Sequence, residues 1–218
     1  MDRPRLTRSE LGFVVGVPAA WGILLLFHPL SEDASFYPTI TDNVTPWLAV
    51  HIGMAVFIPL FAGAIYLLLR GIEGTAATTA RIGLALFAIF YAAFEITLGI
   101  GTGILADEIN ALPEAERPAA GSLLESYTES GIIVAFTIIG SIGLLMAMTG
   151  AAVALRAAYG LGWAPVVLLL VAIPLIAIHE PPFGPVGLAM FIGAVLLVRR
   201  TAADSVRVPV SASHAGPA

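Results

Sequence analysis

The sequence predicts an all-α fold, a polytopic integral membrane helix bundle with six transmembrane helices and both termini in the cytoplasm. Three observations lead there. Of the 218 residues, 58% are hydrophobic and 11% charged, against roughly a quarter charged in an average soluble domain, and the mean hydropathy is +0.94. Several apolar runs approach 20 residues, about the length a helix rising 1.5 Å per residue needs to cross a hydrocarbon core of roughly 30 Å. The cations, all arginine, recur between those runs so that they collect on one side of a membrane.

The runs cover about 11–30, 47–69, 82–106, 130–155, 160–179 and 183–198. In the first, Arg3, Arg5 and Arg8 precede apolar residues, as in a signal peptide. The run is long, however, and Ala34 after Glu32 and Asp33 makes a poor cleavage site, so the segment reads as a retained helix. The second opens after Pro46 and the third after Arg81. Ahead of the fourth, Pro118 suits a first helical turn, so residues 119–127 could start that helix early and put Glu125 and Glu129 one turn apart. The fifth and sixth are short. They cross if the fifth begins near Tyr159 and the sixth takes Pro182 or Pro185 into its first turn, with a re-entrant hairpin as the alternative. Residues 201–218, rich in Ser, Ala, Pro and Val, read as a disordered tail.

With the N-terminus inside, Arg3, Arg5, Arg8, Arg70, Arg81, Arg156, Arg199, Arg200 and Arg207 fall in the cytoplasm and only Arg117 outside, the pattern of a multi-pass cell-membrane protein. A net charge of -5 offers no basic surface for nucleic acid, and the absence of cysteine excludes disulfides, thiolate metal sites and cysteine nucleophiles.

Polar residues within the spans carry the functional information. Glu95 lies about ten residues, roughly 15 Å at helical rise, from the outer end of the third span. An acid at that depth costs about 2.5 to 3.5 kcal/mol on insertion scales and should face protein or a water-filled cavity. Ala88, Ala92, Gly99, Thr102 and Gly103 share or flank its face, small residues that let a neighbouring helix approach. His28, His51 and His179 fall at similar heights near the outer ends of the first, second and fifth spans, and Glu180 follows His179. Three imidazoles with a carboxylate suit zinc, copper or iron, and two opposed histidines could instead hold a haem. Pro18, Pro59 and Pro174 interrupt the same three spans and could open a cavity between them. In the fourth span Ser130, Thr137, Ser141 and Met148 form a stripe whose hydroxyls either bond the preceding turn or line that cavity.

The expected function is therefore an outward-facing His/Glu site that takes a metal ion, haem or small ligand from the outer side, with redox-linked chemistry as one use of it. Its metal-ligand candidates are His28, His51, His179 and Glu180, with Glu95, His51, Tyr91 and Thr102 as the ligand or proton site. A proton-coupled transporter or channel using Glu95, and a non-catalytic assembly subunit, are the alternatives. A zinc hydrolase with Glu180 as base is a variant of the first, and no G-x-S-x-G nucleophile motif is present. Besides the lipid bilayer, the partner expected is a second copy, bound through small-residue faces at Gly99/Gly103 or Ala189/Gly193.

Overall fold

The computed structural model describes residues 6–30 and 36–204. Its elements are helices α1 (Arg8–Leu25), α2 (Phe36–Asp42), α3 (Val44–Leu68), α4 (Thr75–Ala111), α5 (Arg117–Thr128), α6 (Gly131–Tyr159), α7 (Trp163–Ile178) and α8 (Phe183–Asp204), with no strand among the described residues. Five of them, α1, α3, α4, α6 and α8, are long and apolar enough to cross a membrane, and α7 is a shorter apolar helix of 16 residues.

Several boundaries differ from the sequence expectation for local reasons. Helix α1 starts early because Thr7 and Glu10 form a capping box, Thr7 Oγ1 accepting from Glu10 N at 3.2 Å and Glu10 Oε2 from Thr7 N at 2.8 Å. It ends at Leu25, and the chain turns through His28, whose N–H donates to Leu25 O. Pro118 does open a helix, but α5 is separate from the fourth span. The chain leaves helical geometry at Ser130 (ψ 138°), so Glu125 and Glu129 lie ahead of α6 rather than along it. Residues 201–204 continue α8 instead of joining a disordered tail. Arg3, Arg5, Glu32, Asp33, Arg207 and the tail from 205 onward lie outside the described residues.

Helix α4 is not a regular α-helix. Two π segments, Phe87–Tyr91 and Glu95–Ile100, interrupt it on either side of a short α turn, and π segments of this kind recur at functional sites.

Close packing between helices gives most of the cohesion available in lipid, where apolar contact alone favours no partner. Along α6, Gly140, Gly143 and Gly150 press against the backbone of α4, and Gly83 of α4 returns the contact at Ala147. A β-carbon on Gly143 would lie 2.9 Å from Gly83 O, and one on Gly140 2.7 Å from Tyr91 N. The contacts run in opposite directions along the two helices, so the pair is antiparallel. Helix α7 lies antiparallel along α8, where Gly187 meets Leu175 and Ile176, and Gly193 meets Leu168. An aromatic cluster joins α1, α3, α4 and α8: Phe61 stands edge-on to Trp21 (5.5 Å), Phe87 (6.4 Å) and Phe191 (4.7 Å). Thr137 donates to Ile133 O at 2.9 Å and Met148 is buried, so that part of the α6 stripe is taken up within the bundle.

A second small core of Ile40, Trp47, Ala106, Ile109 and Leu124 seats α2 and α5 as a cap over the start of α3 and the end of α4. At the opposite end Arg70 pairs with Glu10, Arg81 donates to Leu69 O and Ile72 O, and Arg156 lies over the Trp163 ring. A cavity of about 620 Å³, bounded in part by Glu73, Thr75 and Tyr159, opens at this arginine-rich end, away from the histidines.

Candidate metal centre

The three histidines reach one place from three kinds of backbone position. His28 sits in the turn after α1, and its Nδ1 lies 2.7 Å from Pro29 O. His51 occupies the second turn of α3, with Nδ1 2.7 Å from Trp47 O one turn earlier. His179 caps the end of α7 at φ 47°, a left-handed conformation that usually favours glycine. Its Nδ1 lies 3.4 Å from Ala177 O. The tight α7–α8 hairpin holds it there, since a β-carbon on Gly184 would run into the His179 backbone.

These bonds fix the tautomers. A carbonyl oxygen only accepts, so each ring donates from Nδ1–H and keeps the lone pair of Nε2. Metal-bound histidines are held in the same manner, the distal ring N–H tied to backbone or carboxylate. One ring nitrogen from each of His28, His51 and His179 lies within 4.8 Å of the other two. The ring centroids are 5.1 Å apart for His28 and His51, 5.2 Å for His28 and His179, and 6.5 Å for His51 and His179.

Glu95 approaches the cluster from α4. Its Oε2 is 3.9 Å from His51 Nε2, too far for a hydrogen bond. Glu95 Oε1 and His28 Nε2 are both buried with no hydrogen-bond partner, and orphaned polar atoms of that kind call for an explanation such as an ion or a water. The site is enclosed rather than open: exposure is 5% for His28, 3% for His51 and 1% for Glu95, while His179 is half-buried and stands nearest to access.

Two further residues shape this site: Trp47, which the sequence pattern does not mark, and Gly99, expected as a small residue that admits a neighbouring helix beside Glu95. Trp47 stacks on the His51 ring at 4.2 Å between centroids and donates its indole N–H to Gly99 O at 2.7 Å. Gly99 leaves room for His51: a β-carbon there would lie 2.8 Å from His51 Cβ and closer still to the ring. Gly99 lies one turn after Glu95, the spacing that marks it in the sequence, and Trp47 lies one turn before His51, the same signal left unread. No family model, curated protein or solved structure matches the chain.

The remaining candidates occupy supporting positions. Tyr91 donates its hydroxyl to Ala177 O at 2.9 Å, the same carbonyl that His179 Nδ1 faces, so it braces the end of α7. Thr102 donates back to Leu98 O and to Gly99 O within α4. Neither Glu180 nor Glu95 is among the groups that converge within 4.8 Å, but among the described residues Glu95 is the carboxylate within 4.0 Å of a cluster nitrogen, that of His51. Gly99 and Gly103, expected to receive a second copy, instead receive His51, Trp47 and Leu48 of α3 in the same chain, which fills that face. Ala189 on α8 stays exposed, with Gly193 against Leu168.

Proposed function

We propose that this chain is a six-span cell-membrane protein that binds one divalent transition-metal ion through His28, His51 and His179 near its outer face. The observation that carries the reading is the convergence of three ring nitrogens within 4.8 Å, each ring held by a backbone carbonyl at Nδ1. Neutral imidazole suits zinc, copper, iron or nickel, and tetrahedral coordination at about 2.0 to 2.1 Å needs ligand nitrogens about 3.4 Å apart, so a small contraction completes the site. Haem is the poorer fit. His51 and His179 are the best-separated pair, yet His28 stands 5.1 and 5.2 Å from them, where a macrocycle between the two would lie.

The six-span reading is supported by α7 packing along α8 at both Gly187 and Gly193, and by the arginine distribution, which favours an arrangement with both termini in the cytoplasm. A second reading, proton-linked transport with Glu95 as the protonation site, has one observation in its favour: a deeply buried carboxyl directly beside His51. Proteoliposome flux that survives Glu95→Gln would end that reading.

The test of the first is direct. Protein purified in detergent should take up one zinc per chain by elemental analysis after equilibration with zinc and removal of the excess. His28→Ala, His51→Ala and His179→Ala should each abolish it while preserving a monodisperse protein. Retention of full zinc by all three variants would overturn the proposal.

A further inference from the structure

We infer that Glu95 is the fourth ligand and the anionic one, closing the coordination sphere of an ion held by His28, His51 and His179. The inference rests on the three-histidine reading above and adds the donor that decides what the site can do. Neither carboxylate, Glu180 or Glu95, joins the three histidine nitrogens within 4.8 Å, yet among the described residues Glu95, 84 positions before His179, is the one that comes within 4.0 Å of a cluster nitrogen, so binding must draw it inward.

Four observations favour Glu95. Its Oε2 and His51 Nε2 face each other at 3.9 Å without a bond, and a shared tetrahedral ion would draw such a pair to about 3.4 Å. Of the four buried side-chain atoms left without a hydrogen bond among the described residues, two, Glu95 Oε1 and His28 Nε2, lie on groups flanking His51, and a cation beside His51 would give both a partner. A dication among three neutral imidazoles would carry its whole charge into a region that excludes water, and one carboxylate halves it. Finally, Glu95 opens the π segment Glu95–Ile100, which with Phe87–Tyr91 shifts the helical phase of α4 and sets the direction in which this side chain leaves the helix.

The consequence is functional. A catalytic zinc keeps one position for water or substrate, whereas a site with four protein ligands has none. A His3Glu site of this kind holds or transfers an ion and does not hydrolyse a substrate.

The experiment uses the full chain in detergent, with zinc and cobalt(II) as probes. Zinc affinity is read by chelator competition, and the cobalt site by its visible spectrum with and without azide. Glu95→Gln should weaken zinc binding by roughly 100-fold or more, beyond what loss of a supporting contact alone produces. Glu180→Gln should bind as the wild type does. Azide should leave the wild-type cobalt spectrum unchanged and alter that of Glu95→Gln, where a position has been freed. Unchanged zinc affinity in Glu95→Gln, or a wild-type cobalt spectrum that shifts with azide, would overturn the inference and leave the three-histidine site standing. Should Glu95→Gln fail to fold, the wild-type azide response decides alone. Wild-type protein that binds neither metal would remove the three-histidine proposal and this inference with it.

Discussion

Trp47 covers the face of His51, with ring centroids 4.2 Å apart and planes 29° from parallel, while the Trp47 carbonyl accepts from His51 Nδ1 at 2.7 Å. One residue thereby fixes both the tilt and the tautomer of a metal-ligand candidate. Trp47 also belongs to the cap core of Ile40, Ala106, Ile109 and Leu124, so the cap and the site share a wall.

Removing that wall should loosen the ligand without deleting it. Trp47→Ala keeps the carbonyl but loses the stacked ring and leaves a void, an effect of about 3 to 5 kcal/mol for a buried aromatic. Trp47→Phe keeps a ring and loses the bond to Gly99 O, worth about 1 kcal/mol. Denaturation in detergent should rank wild type, Phe and Ala in that order, and zinc affinity should fall along the same series. Undiminished affinity in Trp47→Ala would show that the indole does not position His51.

Gly99→Ala tests the fit from the opposite side. The new methyl would enter the space of the His51 ring, and overpacking of a filled site typically costs about 1 to 3 kcal/mol. The expected outcome is a folded protein with sharply reduced zinc binding, since the ring must turn away from His28 and His179. Gly63→Ala is the control, because its β-carbon would meet Phe13 at an ordinary 3.8 Å. Equal zinc occupancy in the two variants would contradict this account of Gly99.

How much of this could be read from the residues depends on the range of the forces involved. The helices were legible because lipid demands long apolar runs with satisfied backbone, a local constraint written in composition. The shared height of His28, His51 and His179 followed from topology, and so did the proximity of His51 to Glu95. What stayed hidden depended on neighbours distant in the chain. The glycine row Gly140, Gly143 and Gly150 matters because α4 lies against it, whereas the sequence alone points to Gly99 and Gly103 as an external face. The π segments carry no signature in composition, and the early start of α1 turned on a Thr7–Glu10 cap that the hydropathy pattern passes over. Glu180 is adjacent to His179 in sequence, whereas the folded chain brings Glu95 within 4.0 Å of a ligand nitrogen.

The α4–α6 contact makes a separate prediction about stability. A β-carbon on Gly143 would lie 2.9 Å from Gly83 O and closer still to Phe87 N, both backbone atoms that cannot step aside. Gly143→Ala should therefore lower stability by about 1 to 3 kcal/mol, although alanine is intrinsically the better helix former by about 1 kcal/mol. Gly63→Ala should be neutral or stabilising. Thermal unfolding in detergent that gave the two variants the same midpoint would argue against direct helix contact at Gly143.

Metal binding should also be visible as stability. An ion that binds only the folded chain adds about 2.7 kcal/mol when present at 100 times its dissociation constant. Zinc should raise the unfolding midpoint of the wild type, a chelator should reverse the rise, and His51→Ala should show neither response. A zinc-induced rise that persisted in His51→Ala would point to binding elsewhere.

The six-span topology can be decided with single cysteines, because the chain contains none of its own. Ser122 on α5, Ala157 near the end of α6 and Phe183 at the start of α8 are all exposed. If α7 crosses the membrane, Ser122→Cys and Phe183→Cys share the outer side, and a membrane-impermeant maleimide labels both in intact cells. Ala157→Cys, beside Arg156, should react only after permeabilisation. If α7 is a re-entrant segment instead, Phe183→Cys falls on the side of Ala157→Cys, and labelling in that pattern would reduce the chain to five spans with its termini on opposite sides. The length of α7 makes this the informative junction: 16 residues reach about 24 Å at helical rise, short of a bilayer core of roughly 30 Å. A crossing α7 therefore requires local thinning of the bilayer or an end that stops short of one interface, and the labelling of Phe183→Cys reports which side its His179 end reaches.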